Sequence, residues 1–291
     1  MSVSVIIPTH NRARQVVKAV DSVLAQSAPV YEVIVVDDGS DDESLSALAS
    51  YGEKIRVLRQ ENRGVSSARN LGIGAAGGEW LALLDSDDQW LPEKLARQLA
   101  FHKENPEILI SQTDEQWVRD GRPVNKARRF VQKAEGWIFE PSLAMCHVSP
   151  SAVLIHRSVF DQVGLFDEGL PACEDYDLWL RVARRYPVGL VDEPLIIKTG
   201  GHADQLSCRY WGMDRFRITA MEKHLDEHPW RIAVLEELVR KCDVVATGAG
   251  KRGKEALYNE YEQKRRQYRR MLADADAVCA PGQMPAARNM V

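Results

Sequence analysis

The sequence predicts an α/β fold in which a mostly parallel sheet carries helices on both faces. Three observations predict it. Strand and helix signals alternate through the first hundred residues, polar clusters follow the apolar strand runs, and long helical patterns replace the alternation from about residue 209. The first strand is the β-branched run Val3 to Ile7, stopped by Pro8. Val16, Val17, Val20, Val23 and Leu24 recur at helical spacing. Val33 to Val36 is a second buried strand, closed by the turn formers Asp37-Asp38-Gly39-Ser40. Leu45 to Ala49 reads as a helix, Ile55 to Leu58 as a strand, and Ser66 to Ala76 as a small-residue helix ending at Gly77-Gly78. Trp80 to Leu84 is a fourth strand running into Asp85-Ser86-Asp87-Asp88, and Pro92 opens the next helix.

The stretch from Ile108 to Thr199 is less regular, with strands at Ala152 to Ile155 and Leu195 to Ile197 and a helix from Leu178 to Ala183. Helical patterns follow at Phe216 to Leu225, Trp230 to Val245 and Lys254 to Leu272. The expected division is a catalytic domain over 1–207, a helical region over 208–279 and a disordered tail over 280–291.

Composition narrows the class. The chain has 291 residues, 45% apolar and 27% charged, with 38 basic against 42 acidic residues and a net charge of -4. That balance argues against general nucleic-acid binding, which needs a positive excess. The five cysteines (146, 173, 208, 242 and 279) are scattered with no CxxC spacing, so neither a zinc site nor a disulfide framework is expected. No run approaches the ~20 apolar residues that span a bilayer, and the N-terminal run lacks a signal peptide's pattern, so the expected location is the cytoplasm.

Ligands of such sheets collect beyond the C-terminal strand ends, where the polar clusters fall. Asp85-Ser86-Asp87 is an Asp-x-Asp at a strand end, and continued strand geometry would send both carboxylates to one face. Two oxygen donors with open positions suit Mg²⁺ or Mn²⁺ shared with a diphosphate; the plainer reading is that Asp87 or Asp88 caps the following helix. Asp37-Asp38 is equally an Asx turn or a carboxylate that meets a base or ribose. Arg63 and Arg69 are phosphate ligands or structural arginines. Glu174-Asp175-Tyr176-Asp177 caps a helix through its macrodipole, or supplies a general base.

Taken together, Pro8-Thr9-x-Asn11-Arg12, Val35-Val36-Asp37-Asp38-Gly39-Ser40, Arg69-Asn70-x-Gly72, Leu84-Asp85-Ser86-Asp87-Asp88-x-Trp90 and Glu174-Asp175-x-Asp177-Leu178-Trp179-x-Arg181 closely resemble the family 2 inverting glycosyltransferases. The resemblance covers roughly residues 1 to 200 and implies the GT-A fold, a Rossmann-like nucleotide-diphospho-sugar transferase architecture. It implies that Pro8, Thr9, Asn11, Arg12, Asp38, Arg69 and Asp85 bind the nucleotide-sugar, with Asp38 at the base and Asp85 near the ribose. It makes Asp87 a ligand of Mn²⁺ or Mg²⁺, and Asp175 the base that deprotonates an acceptor hydroxyl, with Glu174 its neighbour in the pair. Gly200 to Ser207 resembles a segment that closes over the diphosphate, with His202 as a metal or diphosphate ligand. The expected donor is a UDP-sugar and the expected acceptor a saccharide or lipid-linked saccharide, with Trp137, His147, Ser149 and Ser151 on the acceptor side. A non-catalytic nucleotide-sugar-binding subunit on the same fold is the rival reading. Nucleotidyltransferases and dinucleotide-binding domains fit less well, because the position after the first strand has no glycine. The basic helix with Lys264, Arg265, Arg266, Arg269 and Arg270 is a solvated face over Leu257, Tyr261, Tyr268 and Leu272, or a peripheral membrane contact.

Overall fold

The computed structural model describes residues 1–119, 121–125, 133–201, 209–226 and 228–278. They form two compact units, Met1–Arg209 and Tyr210–Val291. The first unit runs β1 (Val3–Thr9), α1 (Ala13–Leu24), β2 (Glu32–Asp38), α2 (Ser44–Ala49), β3 (Arg56–Gln60), α3 (Val65–Ala75), β4 (Trp80–Leu83), β5 (Gln89–Trp90), α4 (Lys94–Glu104), β6 (Ile110–Arg119), β7 (Arg122–Val124), α5 (Phe139–Ala144), β8 (Leu154–His156), α6 (Ser158–Val163), α7 (Glu174–Ala183) and β9 (Gly189–Gly200). Its sheet follows the order β3-β2-β1-β4-β8-β6-β9-β5, with β7 added to β6. Pairs β1–β2, β1–β4, β2–β3 and β6–β9 are parallel, whereas β8 is antiparallel to both neighbours.

The reversal of β8 positions the candidate site. Because β8 runs against β4 and β6, its start lies beside the C-terminal end of β4, and the C-terminal ends of β6 and β9 point the same way. The segments after β1, β2 and β4, before β8 and at the end of β9 therefore meet at one edge.

Alternation along buried strands supplies both faces of the core. Val3, Val5 and Ile7 of β1 join Val16, Ala19, Val20 and Val23 of α1 in one apolar cluster with Val33, Val35 and Leu48. Ile6 and Val36 face the other way, onto Gly72 of α3. Three features differ from the sequence reading. The irregular middle holds the ten-residue strand β6; β9 extends well beyond its apolar centre, Leu195 to Ile197; and α4 begins at Lys94 with no side-chain cap, so neither Asp87 nor Asp88 caps it.

The second unit comprises α8 (Asp214–Glu222), α9 (Arg231–Gly250) and α10 (Glu255–Val278). Ile218, Met221, Val234, Leu235, Leu238, Cys242, Val245, Tyr261 and Tyr268 are buried within it. In the basic helix, Lys264 pairs with Glu222, and Arg265 with Asp243 and Glu262, while Arg266, Arg269 and Arg270 are exposed. Among the described residues, no helix is long and apolar enough to cross a membrane. The tail expected to be disordered lies outside the described residues.

Gly72 makes α3 lie close to the sheet. A Cβ there would stand 2.5 Å from Ile6 Cγ2 and 3.2 Å from Val36 Cγ2, both on stiff β-branched side chains. Helix propensity alone favours Ala over Gly by about 1 kcal/mol, but overpacking costs about 1–3 kcal/mol. Gly72→Ala should therefore lower stability by about 1 kcal/mol net in urea unfolding, despite the propensity gain.

Candidate active site

At the end of β1, Thr9 is 3% exposed, and among the described residues its buried Oγ1 has no hydrogen-bond partner. Asn11 follows in the left-handed region (φ 51°), where its N–H donates to Ser40 Oγ and its Oδ1 accepts the Asp41 N–H, both at 2.9 Å. Asp38 Oδ1 accepts from Gln60 Nε2 at 2.6 Å and from the Arg63 N–H at 2.9 Å; Oδ2 accepts the Gly64 N–H at 2.8 Å. The expected base-binding carboxylate thus first fixes the loop between β3 and α3. Three of its roughly four lone-pair sites are taken, which leaves one for a ligand donor. His10 Nδ1 lies 2.9 Å from the Asp38 carbonyl, and Asn62 Nδ2 lies 3.0 Å from His10 Nε2. Beside them a groove of about 500 Å³ is lined by Gly39, Arg59, Gln60, Glu61 and Asn62. Gly39 has φ +75°, and a Cβ there would meet the Asn62 nitrogen at 2.7 Å.

The acidic turn after β4 is stapled from both sides. Ser151 Oγ accepts the Asp85 N–H at 3.1 Å and donates to Asp88 Oδ2 at 2.6 Å. Asp88 Oδ1 accepts the Thr199 N–H of β9 at 3.0 Å. Burial, with Asp85 and Asp87 adding to it against Lys198, pushes the Asp88 carboxyl up to about 7. The strand alternation expected to align Asp85 with Asp87 does not hold, because β4 ends at Leu83 and the chain turns at Ser86 and Asp87. Each carboxylate meets its own arginine: Arg69 Nη2 lies 2.7 Å from Asp85 Oδ1, and Arg12 Nη1 lies 2.8 Å from Asp87 Oδ2. Arg12, expected to bind the donor, also precedes α1 and donates its N–H to Ser44 Oγ at 3.2 Å.

Arg69 reaches further. Its Nη1 donates to Glu174 Oε1 at 2.7 Å, and its guanidinium lies 5.0 Å from the centre of the Phe166 ring. Burial would pull protons onto Asp85, yet Arg69 keeps that carboxyl below its ordinary range. Glu174 is pushed upward by burial, against Arg69 and with the help of Asp175. Helix α7 opens after Cys173, a left-handed non-glycine residue (φ 62°).

The structure sorts the three acids at the start of α7. Glu174 is buried on Arg69, and Asp177 is buried on Arg181 at 2.8 Å. Asp175 alone of the three is half-buried; its Oδ1 accepts the Tyr176 N–H at 2.7 Å, and its Oδ2 lies 3.9 Å from Cys146 Sγ. On the expected acceptor side, Ser149 Oγ accepts from Lys198 Nζ at 2.9 Å, Ser151 serves the acidic turn, and Trp137 is 53% exposed. His147 is held below its ordinary range by burial and by Lys133. Lys198, Gln60 and Asn62 were not anticipated. The signal available for Lys198 was a lysine directly after the apolar strand run Leu195 to Ile197. His202 and Ala203 to Ser207, most of the segment expected to close over the diphosphate, lie outside the described residues.

A model of the glycosyl transferase family 2 matches residues 4–164. An uncharacterized glycosyltransferase of Rickettsia felis is 34% identical over 219 residues, covering 70% of this chain and 35% of that protein. A Bacillus subtilis protein named as a teichuronic acid biosynthesis glycosyltransferase, TuaG, is 32% identical over 187 residues, covering 63% of this chain and 72% of TuaG. The chain therefore spans about a third of the Rickettsia felis relative. In fold it resembles S. aureus TarS 1-349 in complex with UDP-GlcNAc, with a TM-score of 0.65, 18% identity and 92% of each chain covered. The complex of the same protein with UDP gives a TM-score of 0.60 at 17% identity, covering 99% of this chain and 95% of that one.

Removing one partner from a buried ionic network strands the others. Arg69→Met should cost about 3–5 kcal/mol in urea unfolding at neutral pH, because Glu174 and Asp85 lose their cation. Adding Glu174→Gln should recover part of that loss, which a double-mutant cycle measures.

Proposed function

The chain belongs to glycosyl transferase family 2, and on that premise we propose that it is an inverting enzyme that moves a sugar from a UDP-sugar to an acceptor hydroxyl with the help of Mn²⁺ or Mg²⁺. The observation that carries the reading is the division of acids around Arg69. On one side stand Asp85 and the Asp87 turn; on the other, α7 presents Asp175 as its one half-buried acid. Single displacement needs such a division, with the leaving group held on one side of the sugar and a base on the other. The unpartnered Thr9 Oγ1, the remaining site on Asp38 and the groove beside it support a nucleoside at the near end. The TarS complexes with UDP-GlcNAc and UDP, and the name of TuaG, favour a UDP-sugar and a cell-surface glycan acceptor, a saccharide free or lipid-linked.

Asp87 suits a hard cation. It is an oxygen donor at a strand-end turn, partly exposed at 14%. No group of three or more His, Cys, Asp or Glu among the described residues forms a cage, so most ligands would come from diphosphate and water, as Mg²⁺ and Mn²⁺ accept. When bound, the cation neutralises charge growing on the departing diphosphate. The residues of the chain supply the rest. Thr9 and Asp38 orient the nucleoside, and Arg69 fixes Asp85 against Glu174. Asp175 takes the acceptor's proton as the acceptor oxygen bonds to the anomeric carbon. The bond from that carbon to the diphosphate oxygen breaks, and the diphosphate leaves with the electron pair. Exposed Arg266, Arg269 and Arg270 would allow peripheral contact with an anionic membrane surface on the cytoplasmic side.

Two variants test this reading. Asp175→Asn should keep donor affinity nearly unchanged while lowering turnover by roughly 10²-fold or more. Glu174→Gln should instead lower stability and keep turnover per folded molecule within about tenfold; the reverse assignment would sink the choice of base. Asp87→Ala should abolish the Mn²⁺ dependence of UDP binding in calorimetry while the melting temperature stays near that of the parent. Parental affinity with parental metal dependence would remove Asp87 from the metal site.

A further inference from the structure

One hydroxyl touches both ends of the turn that carries Asp87. Ser151 is fully buried, so it is out of reach of an acceptor sugar, contrary to the expectation from sequence. Its Oγ takes the Asp85 N–H at 3.1 Å and donates to Asp88 Oδ2 at 2.6 Å. The turn is closed from within by the Asp88 N–H on the Asp85 carbonyl at 3.0 Å. From the far side, Asp88 Oδ1 takes the Thr199 N–H of β9. Both ends of the turn are thus fixed, and Ser86 and Asp87 span the short distance between them. The Arg12 ion pair at 2.8 Å also holds the Asp87 carboxylate. A cation at Asp87 would repel that guanidinium and weaken the pair. The turn backbone is then left to orient the carboxylate.

The hydroxyl is aimed by its own backbone. Ser151 lies in a 3₁₀ turn, Pro150–Ala152, that leads into β8. Three consecutive carbonyls of this segment each accept a side-chain donor. Trp90 Nε1 of β5 donates to the Ser151 carbonyl at 2.8 Å. Gln98 Nε2 and Lys94 Nζ of α4 donate to the Ala152 and Val153 carbonyls at 3.1 and 3.3 Å. Lys94 and Gln98 stand one helical turn apart and are fully buried, and the Lys94 Nζ lies 3.9 Å from the centre of the Trp90 ring. Donors buried in this way are costly unless each finds an acceptor. These find theirs on successive peptide groups, which fixes the segment along its length. On the other flank Ser149 Oγ is held by Lys198. The segment has no slack with which to carry the hydroxyl away from the acidic turn.

We propose that Ser151 is a positioning residue of the cation site: its hydroxyl, aimed by the Trp90 bond to its carbonyl, sets the turn that presents Asp87 to a divalent cation. The proposal rests on the reading of Asp87 as a metal ligand. Its test uses the full chain and two measurements that need no turnover. Free Mn²⁺ is counted by electron paramagnetic resonance in the presence of UDP, and UDP binding is measured by calorimetry with Mn²⁺ or with EDTA. Ser151→Ala should weaken Mn²⁺ binding by roughly tenfold or more, as losing a group that holds a ligating segment does. The UDP affinity in EDTA should move far less. Ser151→Thr, which keeps the hydroxyl, should recover most of the loss. Parental Mn²⁺ affinity in folded Ser151→Ala overturns the proposal. So does an equal loss of UDP affinity with and without Mn²⁺, the mark of a merely structural role. If circular dichroism shows that Ser151→Ala does not fold, Trp90→Phe decides, since it removes the donor to the Ser151 carbonyl but keeps a ring. A smaller weakening of Mn²⁺ binding there supports the proposal, and none overturns it. Asp87→Ala separates this proposal from the reading beneath it. Parental metal dependence in Asp87→Ala removes both, whereas lost dependence there beside parental Mn²⁺ affinity in Ser151→Ala overturns the role of Ser151 alone.

Discussion

The organisation of the site depends on one buried guanidinium shared by two carboxylates. Arg69 is 3% exposed, and its partners Asp85 and Glu174 stand 16 and 105 positions from it in the chain. Burying that cation costs several kcal/mol unless good acceptors meet it. The fold is therefore tolerable only where α3, the end of β4 and the start of α7 come together. Gly72 lets α3 approach β1 and β2 closely, and Asn70 of the same helix holds the Phe166 backbone from both sides of its amide. Cys173 turns the chain so that Glu174 enters from the opposite direction.

Around this joint the charges interleave. Asp87 is matched by Arg12, Asp177 by Arg181, and Glu115 by Lys133. Asp88 is satisfied by Ser151 and the Thr199 N–H. A pocket filled with unopposed carboxylates would repel a diphosphate. Asp85 and Asp87 are already matched by arginines, so on the proposed reading a diphosphate would exchange partners instead of confronting bare charge. The same economy explains why Asp175 stands out: it is the acid of α7 with neither arginine nor full burial.

Much of this was legible in the sequence. Buried strands β1, β2 and β4 are β-branched or aliphatic runs that end in polar clusters, and a parallel sheet brings such clusters to one edge. The strand-end clusters put Asp38, Asp85 and Asp87 at that edge, whereas Asp175 lay in a separate segment and was singled out only through the family resemblance. What the sequence could not carry was pairing between distant segments. Nothing around Ser149 and Ser151 indicates that they serve Lys198 and Asp88, because those bonds depend on β8 running antiparallel between β4 and β6. Period-two reasoning failed at Asp85 and Asp87 because the chain leaves the strand before reaching them. The strand β6 was missed because Ser111, Gln112, Thr113 and Glu115 are polar yet buried, which breaks the apolar signature of a strand.

The place of β9 in the sheet also bears on how a ribosome delivers this protein. Among the described residues strand β5 pairs with β9 alone, although about a hundred residues separate them, and Asp88 waits 111 positions for the Thr199 N–H. As synthesis proceeds from the N-terminus, β1 to β4 can assemble early around local βαβ contacts. The edge made by Thr9, Asp38 and the loop after β3, where the proposed reading puts the nucleoside, is then made before α7 and β9. Among the described residues, β9 thus closes the sheet from the far end of the unit, pairing with β5 and reaching Asp88 only after β1 to β4 are made.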